Sequence, residues 1–226
     1  MPFIVCMGQS NMAGRGDLLP EDMDTLSPDL YIRIWNDQNT WERAYPPLNK
    51  YANIRKDISI QQMGPAWSMA HELAVVLDSV GVLVNARGGS SIQEWKKGGD
   101  YYDKTIERVR EAMKKGTLVG MIWHQGESDR NKADKYLESL SELVSDFRSD
   151  VNIPDLPVVV GEVGNWKGNS LAINAVLQQA SKTIPHLACV SATDLTHKGD
   201  SLHFSREAQL LLGKRYAAAV LSLINQ

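Results

Sequence analysis

The chain has 226 residues, of which 43% are hydrophobic and 23% are charged, as is ordinary for a folded globular protein. This length suits a single domain, 1–226, with a sizeable core and a long irregular rim segment at about 17–63. A formal net charge of −3 excludes the strongly basic surface that binds nucleic acid or anionic membranes, and no apolar run is long enough to span a bilayer.

The amino terminus enters an apolar segment at once, without a basic leader region or a cleavage site. We therefore expect a cytoplasmic protein, or a secreted or periplasmic one if an export signal has been removed from this sequence. Two cysteines, Cys6 and Cys189, lie in separate strand-like runs. Buried free thiols are the simpler expectation, and a disulfide requires that the two strands be neighbours.

The first predicted element is a short strand at 3–7, followed directly by Gly8-Gln9-Ser10-Asn11. The glycine permits a sharp turn, which places Ser10 at the carboxyl edge of the strand, where open α/β sheets bind their ligands. A serine hydroxyl becomes a nucleophile when a base takes its proton and donors stabilise the oxyanion. The rest of the chain supplies candidates for both.

The segment 17–63 shows little periodicity apart from a predicted strand at 31–35. Long irregular segments in compact domains usually form functional rims or lids. This one carries four aromatic side chains, Trp35, Trp41, Tyr45 and Tyr51. They suit stacking on a sugar, and covering the core beneath the segment is an equally good interpretation.

Helices and strands alternate from residue 64 onward. Pro65 opens a helix whose apolar stripe runs from Trp67 to Leu77. The later predicted elements are a strand at 81–86, a helix at 105–115, a strand at 118–123, a helix at 136–147, a strand at 156–161, a helix at 173–184, a strand at 187–192 and a final helix capped by Ser205. This alternation predicts an α/β fold, a three-layer α/β/α sandwich with a parallel central sheet.

Polar segments follow four of the predicted strands, at 8–11, 88–91, 124–129 and 194–203. Because the carboxyl ends of parallel strands share one edge of the sheet, the side chains of these segments can meet there.

One of these segments holds an acid three residues before a histidine. Asp200 could accept a hydrogen bond from one imidazole nitrogen of His203 and leave the other to take the proton of Ser10, as in a Ser-His-Asp triad. A solvated turn with a capping aspartate explains the same spacing. The Gly88-Gly89 pair could turn a backbone N–H into the site, where an ordinary tight turn is the alternative.

Five sequence blocks, GQSNMAGRG, GPAW, ARGGSSIQEW, IWHQGESD and DSLHFS, occur in this order. Together they resemble the SGNH-hydrolase superfamily, and most closely the carbohydrate esterase family 6 and sialate O-acetylesterase-like group. The resemblance covers nearly the whole chain and implies a flavodoxin-like α/β/α fold, no metal or other cofactor, and removal of O-acetyl groups from carbohydrates. Xylan, sialic acid and small acetylated glycosides all stay open as the sugar.

The resemblance also implies roles by motif position. Ser10 is the nucleophile, Asp200 and His203 complete the triad, and Ser10, Gly89 and Gln125 donate to the oxyanion. Glu127 is an alternative triad acid in the same block as Gln125, and it could instead fix the loop through Arg15 or Arg87.

Further candidates concern the substrate, for which we expect an acetylated carbohydrate and neither nucleic acid nor membrane. Arg15, Trp95, His124 and Trp166 are candidate substrate-binding residues, with structural roles as the alternative for each.

Two other classes of function are open. A metal-dependent deacetylase could use Asp194, His197, Asp200 and His203 as ligands, although a solvated loop explains most of them. A carbohydrate-binding module with a degenerate site is the other class, and the presence of every proposed catalytic residue argues against it.

Overall fold

The computed structural model of the chain describes residues 1–23 and 31–225, so 24–30 of the predicted rim lie outside the described residues. The strands are β1 (Pro2–Gly8), β2 (Tyr31–Trp35), β3 (Trp41–Arg43), β4 (Ser79–Ala86), β5 (Thr117–His124), β6 (Val158–Gly161) and β7 (Leu187–Val190). They form one sheet in the order β3-β2-β4-β1-β5-β6-β7.

Every strand pair in this sheet is parallel except β2 with β3, which is antiparallel. The predicted parallel sheet is therefore confirmed, with one correction: an antiparallel edge strand lies inside the segment expected to be irregular. The three residues of β3 are too few for a periodic pattern to reveal.

The helices are α1 (Ser10–Ala13), α2 (Pro65–Leu77), α3 (Asp100–Met113), α4 (Ala133–Val151), α5 (Leu171–Thr183) and α6 (Arg206–Ile224). Two separate hydrophobic cores lie on the two faces of the sheet. Along β1, Ile4 and Cys6 face the core beneath α2 and α6, whereas Phe3, Val5 and Met7 face the core beneath α3, α4 and α5. The predicted three-layer α/β/α sandwich is confirmed.

Helices α2 and α6 pack closely because of a glycine. A Cβ on Gly213 would lie 2.1 Å from Ser68 Oγ and 2.2 Å from Pro65 O. Ser68 Oγ also donates to the backbone oxygen of Leu210 at 2.7 Å. Ser205 caps α6 as predicted, since its side chain accepts from the backbone N–H of Ala208. This fixes the helix that follows the predicted site histidine.

Two of the four rim aromatics pack against the core under α3. Trp35 is fully buried, and Trp41 packs on Phe3 and on Trp35 with ring centroids 5.3 and 4.9 Å apart. These two indoles cover the core under α3, which favours the packing interpretation over sugar stacking for them.

The two cysteines are far apart in the sheet. Cys6 lies on β1 and Cys189 on β7, with β5 and β6 between them, and both thiols are free. Burial raises the pKa of both thiols, that of Cys189 to about 12. No helix within the described ranges is long and apolar enough to cross a membrane.

Candidate active site

The site forms at the carboxyl edge of the sheet, where β1 turns into α1. A Cβ on Gly8 would lie 2.1 Å from His124 O, so a glycine is required for this turn to pass the end of β5. The turn places Ser10 at the first position of α1, with 6% of its surface exposed. The loop that follows β7 brings His203 over the same edge.

The three predicted triad residues lie in a row. His203 Nε2 is 3.1 Å from Ser10 Oγ, and His203 Nδ1 is 2.7 Å from Asp200 Oδ2. The imidazole therefore stands between the hydroxyl and the carboxylate with one nitrogen facing each. This arrangement lets a histidine accept the serine proton while the aspartate fixes its tautomer.

The carboxylate of Asp200 is held by the backbone of its own turn. Its Oδ1 accepts from the N–H groups of Leu202 at 2.9 Å and His203 at 2.8 Å. Burial raises the pKa of Asp200, but the hydrogen bonds from His203 and Leu202 lower it by a larger amount. The pKa is therefore about 2. Asp200 therefore stays ionised at neutral pH, as the partner of an imidazolium must.

Two backbone N–H groups are free to stabilise an oxyanion. Gly89 has φ +76°, a left-handed conformation that glycine adopts without strain. Within the described ranges, the N–H groups of Ser10 and Gly89 donate to no backbone or side-chain acceptor. A Cβ on Gly88 would lie 3.6 Å from Ser10 Cβ, so this turn passes beside the serine.

The side chain of Gln125 is engaged elsewhere. Its Nε2 lies 3.0 Å from Gln9 Oε1, 3.0 Å from Ser90 O and 2.7 Å from Asp129 Oδ2, and its Oε1 accepts from Tyr136 at 2.7 Å. Gln125 is also fully buried. The oxyanion role predicted for it thus requires that its amide leave these partners.

Glu127 makes no hydrogen bond to the imidazole of His203. Its Oε1 accepts from Asn11 Nδ2 at 2.6 Å, and it lies 3.7 Å from His124 Nε2. The suggested pairing with Arg15 or Arg87 is wrong, since neither guanidinium contacts Glu127 and Arg87 donates to Ile54 O instead.

Sequence reasoning missed the part played by Asn11. Its Nδ2 lies 3.2 Å from Leu202 O and its Oδ1 accepts from the N–H of Phe204 at 3.1 Å. These are the residues on either side of His203. The position of Asn11, directly after the candidate nucleophile, was the available signal.

Two of the candidate substrate-binding residues are core residues. Trp95 is fully buried, packs on Trp123 and donates to Ser90 Oγ. His124 is fully buried, with its Nδ1 2.6 Å from Tyr216 OH. Both positions contradict direct contact with a substrate, because neither side chain reaches the surface.

The other two candidates reach the edge of the site. Trp166 is half-buried and packs edge-on against His197 and Phe204, the latter adjacent to His203. A Cβ on Gly88 would lie 2.9 Å from Arg15 Nη2, so this guanidinium occupies space beside the glycine turn.

Two of the four possible metal ligands are engaged in other contacts. Asp194 accepts two hydrogen bonds from Arg215, and His197 Nδ1 accepts from the backbone N–H groups of Gly199 and Ser201. Among the described residues, no group of three or more His, Cys, Asp and Glu could hold a metal ion.

Comparison with known proteins agrees with the geometry. Residues 2–222 match the family model described as carbohydrate esterase, sialic acid-specific acetylesterase. The chain is 29% identical over 239 residues to the probable carbohydrate esterase At4g34215 of Arabidopsis thaliana, covering 97% of this chain and 90% of that protein.

Solved structures share the fold. The X-ray structure of the Arabidopsis thaliana protein AT4G34215 matches with a TM-score of 0.85 and 28% identity, over 98% of each chain. A carbohydrate acetylesterase from Xanthomonas citri matches with a TM-score of 0.71 and 19% identity, over 99% of this chain and 56% of that one. Because the family model spans nearly the whole chain, this protein belongs to the sialic acid-specific acetylesterase family of carbohydrate esterases and is a carboxylic ester hydrolase.

Proposed function

We propose that this protein removes O-acetyl groups from carbohydrates through an acetyl-enzyme on Ser10, in the manner of an acetylxylan esterase. The observation that carries the proposal is the row Ser10-His203-Asp200, in which each imidazole nitrogen has its own partner. Membership of a carbohydrate esterase family supports the choice of ester.

The mechanism has two acyl-transfer steps. Ser10 Oγ attacks the acetyl carbonyl while His203 Nε2 takes its proton, and the sugar oxygen leaves with that proton. A water molecule then gives a proton to His203 and attacks the acetyl-enzyme, which releases acetate and restores Ser10. The N–H groups of Ser10 and Gly89 stabilise each oxyanion in this mechanism, and the absence of a backbone acceptor for either N–H among the described residues supports that assignment.

The test is acetate release from 4-nitrophenyl acetate and from acetylated xylan, by the wild type and by Ser10→Ala. Activity of the wild type on both esters that is lost in the variant supports the serine mechanism and acetylated xylan as the substrate. Activity of the wild type on the small ester alone would agree with the serine mechanism and indicate an acetylated sugar other than xylan as the substrate. Activity that survives in Ser10→Ala contradicts the proposal.

A sialate O-acetylesterase is the second candidate, and two cations favour it. Arg15 is 9% exposed and forms no ion pair among the described residues, although burial lowers the pKa of its guanidinium. The exposed Lys56 places its Nζ 3.4 Å from where a Cβ on Gly89 would lie. Cations beside Gly88 and Gly89 suit a sugar that carries a carboxylate.

This candidate has a selective test. Arg15→Gln and Lys56→Gln should lower kcat/KM for O-acetylated sialic acid and leave kcat/KM for 4-nitrophenyl acetate near the wild-type value. Equal losses on both esters would show that the cations do not select the charged sugar.

A further inference from the structure

We propose that Asn11 and Glu127 form a positioning pair that holds the His203 loop against the helix that carries Ser10. The inference rests on the proposed serine mechanism, because it concerns how the base reaches the nucleophile. Neither residue touches the reacting atoms, so both act through His203.

The amide of Asn11 binds the backbone on both sides of His203. Its Nδ2 donates to Leu202 O at 3.2 Å, and its Oδ1 accepts from Phe204 N–H at 3.1 Å. Asn11 is fully buried and belongs to α1, whose first residue is Ser10. One side chain therefore ties the histidine loop to the nucleophile helix.

Glu127 determines which way this amide faces. A carboxylate at neutral pH only accepts hydrogen bonds, so the Asn11 atom 2.6 Å from Glu127 Oε1 must be Nδ2. With Nδ2 fixed there, Oδ1 must face the N–H of Phe204. In the flipped amide, the NH₂ group would face that N–H, and the oxygen would face both the carboxylate and Leu202 O.

The charge of Glu127 is maintained inside the protein. Burial raises the pKa of this carboxyl, but the nearby His124 and the hydrogen bond from Asn11 lower it by a larger amount. The pKa therefore lies below its ordinary value. His124 Nε2 lies 3.7 Å from Glu127 Oε1, too far for a hydrogen bond, so its influence is electrostatic.

The triad needs such a tie because Asp200 cannot provide it. Asp200 and His203 are three residues apart, and their mutual hydrogen bonds orient the ring only within its own turn. Other ties of this loop, such as those of Trp166 to Leu195 O, Lys198 to Arg15 O and Arg215 to Asp194, lie further from the imidazole in the chain. A misplacement of about 1 Å between reacting groups can cost about 10²-fold in rate.

The experiment compares Asn11→Ala, Glu127→Ala, the double variant and Glu127→Gln, with 4-nitrophenyl acetate as substrate. We expect kcat to fall about 10- to 100-fold in either alanine variant, with KM within about threefold of the wild type. The double variant should be no slower than Asn11→Ala alone, because both changes break one linkage. Glu127→Gln keeps an acceptor for Asn11 and should recover most of kcat.

Asn85→Ala is the matched control for loss of stability. Asn85 is as buried as Asn11 and bonds Asn53, Thr105 and Arg108, but it makes no hydrogen bond to the histidine loop. It should lower Tm while kcat stays close to the wild-type value. If an alanine variant does not fold, Asn11→Asp and Glu127→Gln are assayed instead, and we expect Asn11→Asp to be the slower.

The proposal is overturned if the two losses multiply in the double variant, if KM alone changes, or if Asn85→Ala loses as much kcat. Failure of the serine mechanism has a different signature, since Ser10→Ala would then stay active. An active wild type, an inactive Ser10→Ala and full kcat in both Asn11→Ala and Glu127→Ala would reject the positioning pair alone.

Discussion

His203 Nε2 lies 3.1 Å from Ser10 Oγ, although 193 residues separate them in the chain. We expect Ser10→Ala to lower turnover by about 10⁴-fold or more, because the proposed acetyl intermediate forms on the hydroxyl of Ser10. Covalent labelling by a fluorophosphonate, followed by mass spectrometry, measures the same nucleophile directly. Ser181→Ala, at a half-buried position of α5, is the control, and labelling that persists in Ser10→Ala would refute the assignment.

The pKa of Asp200, about 2, sets a pH dependence of stability. A carboxyl whose pKa falls on folding stabilises the protein above its ordinary pKa of 3.8, and this contribution is lost as the pH falls through about 2. We therefore expect Asp200→Asn to lose less stability than the wild type between about pH 4 and pH 2. Parallel urea titrations at several pH values measure this. Identical pH profiles for the two proteins would contradict the role of the turn.

The contacts of Gln125 predict a structural effect larger than a catalytic one. Gln125→Ala removes one of the two hydrogen bonds to Asp129 Oδ2, which keeps the one from Ile92 N–H. It also removes one acceptor of Tyr136 OH, which can still donate to the backbone oxygen of residue 125. Each lost hydrogen bond costs about 0.5–1.5 kcal/mol. We expect a clear fall in Tm with a loss of kcat below about tenfold. A loss of about 10²–10³ at unchanged Tm would instead indicate that the amide turns into the oxyanion site when substrate binds.

The cysteines should be unreactive in the folded protein. Cys6 is fully buried, and burial raises the pKa of both thiols, so little thiolate is available to react. A thiol-specific chromogenic reagent should titrate two thiols after denaturation without a reductant, and Cys6 should react only then. Recovery of two thiols only after reduction would reveal a disulfide and contradict the separation of β1 and β7.

Long apolar runs made most of the fold predictable. β1, β4 and β5 are buried on both faces over most of their length, and their sequences are mostly hydrophobic. β3 could not be found in this way, because its pairing with β2 depends on Trp41 packing against Trp35 rather than on a pattern of its own.

Residue types also predicted which polar segments would converge, since the edge of a parallel sheet is common to all its strands. They did not predict where each polar atom points. The sequence does not reveal the partners of the Gln125 amide. In the structure, Gln9, Ser90 and Asp129 compete for its two N–H groups. His124 and Trp95 have polar neighbours in the sequence and lie buried in the fold, so position along the chain does not reveal depth.

The site joins segments that follow the first and the seventh strand of the sheet. Ser10 follows the first strand, whereas His203 comes after the seventh, and α6 then supplies Gln209 and Tyr216 behind Asn11 and His124. During synthesis the proposed nucleophile therefore leaves the ribosome long before the proposed base. On the proposed mechanism, a nascent chain that stops before His203 cannot hydrolyse the ester, so the onset of hydrolysis would show that synthesis has passed His203 and that this part of the chain has folded onto the sheet.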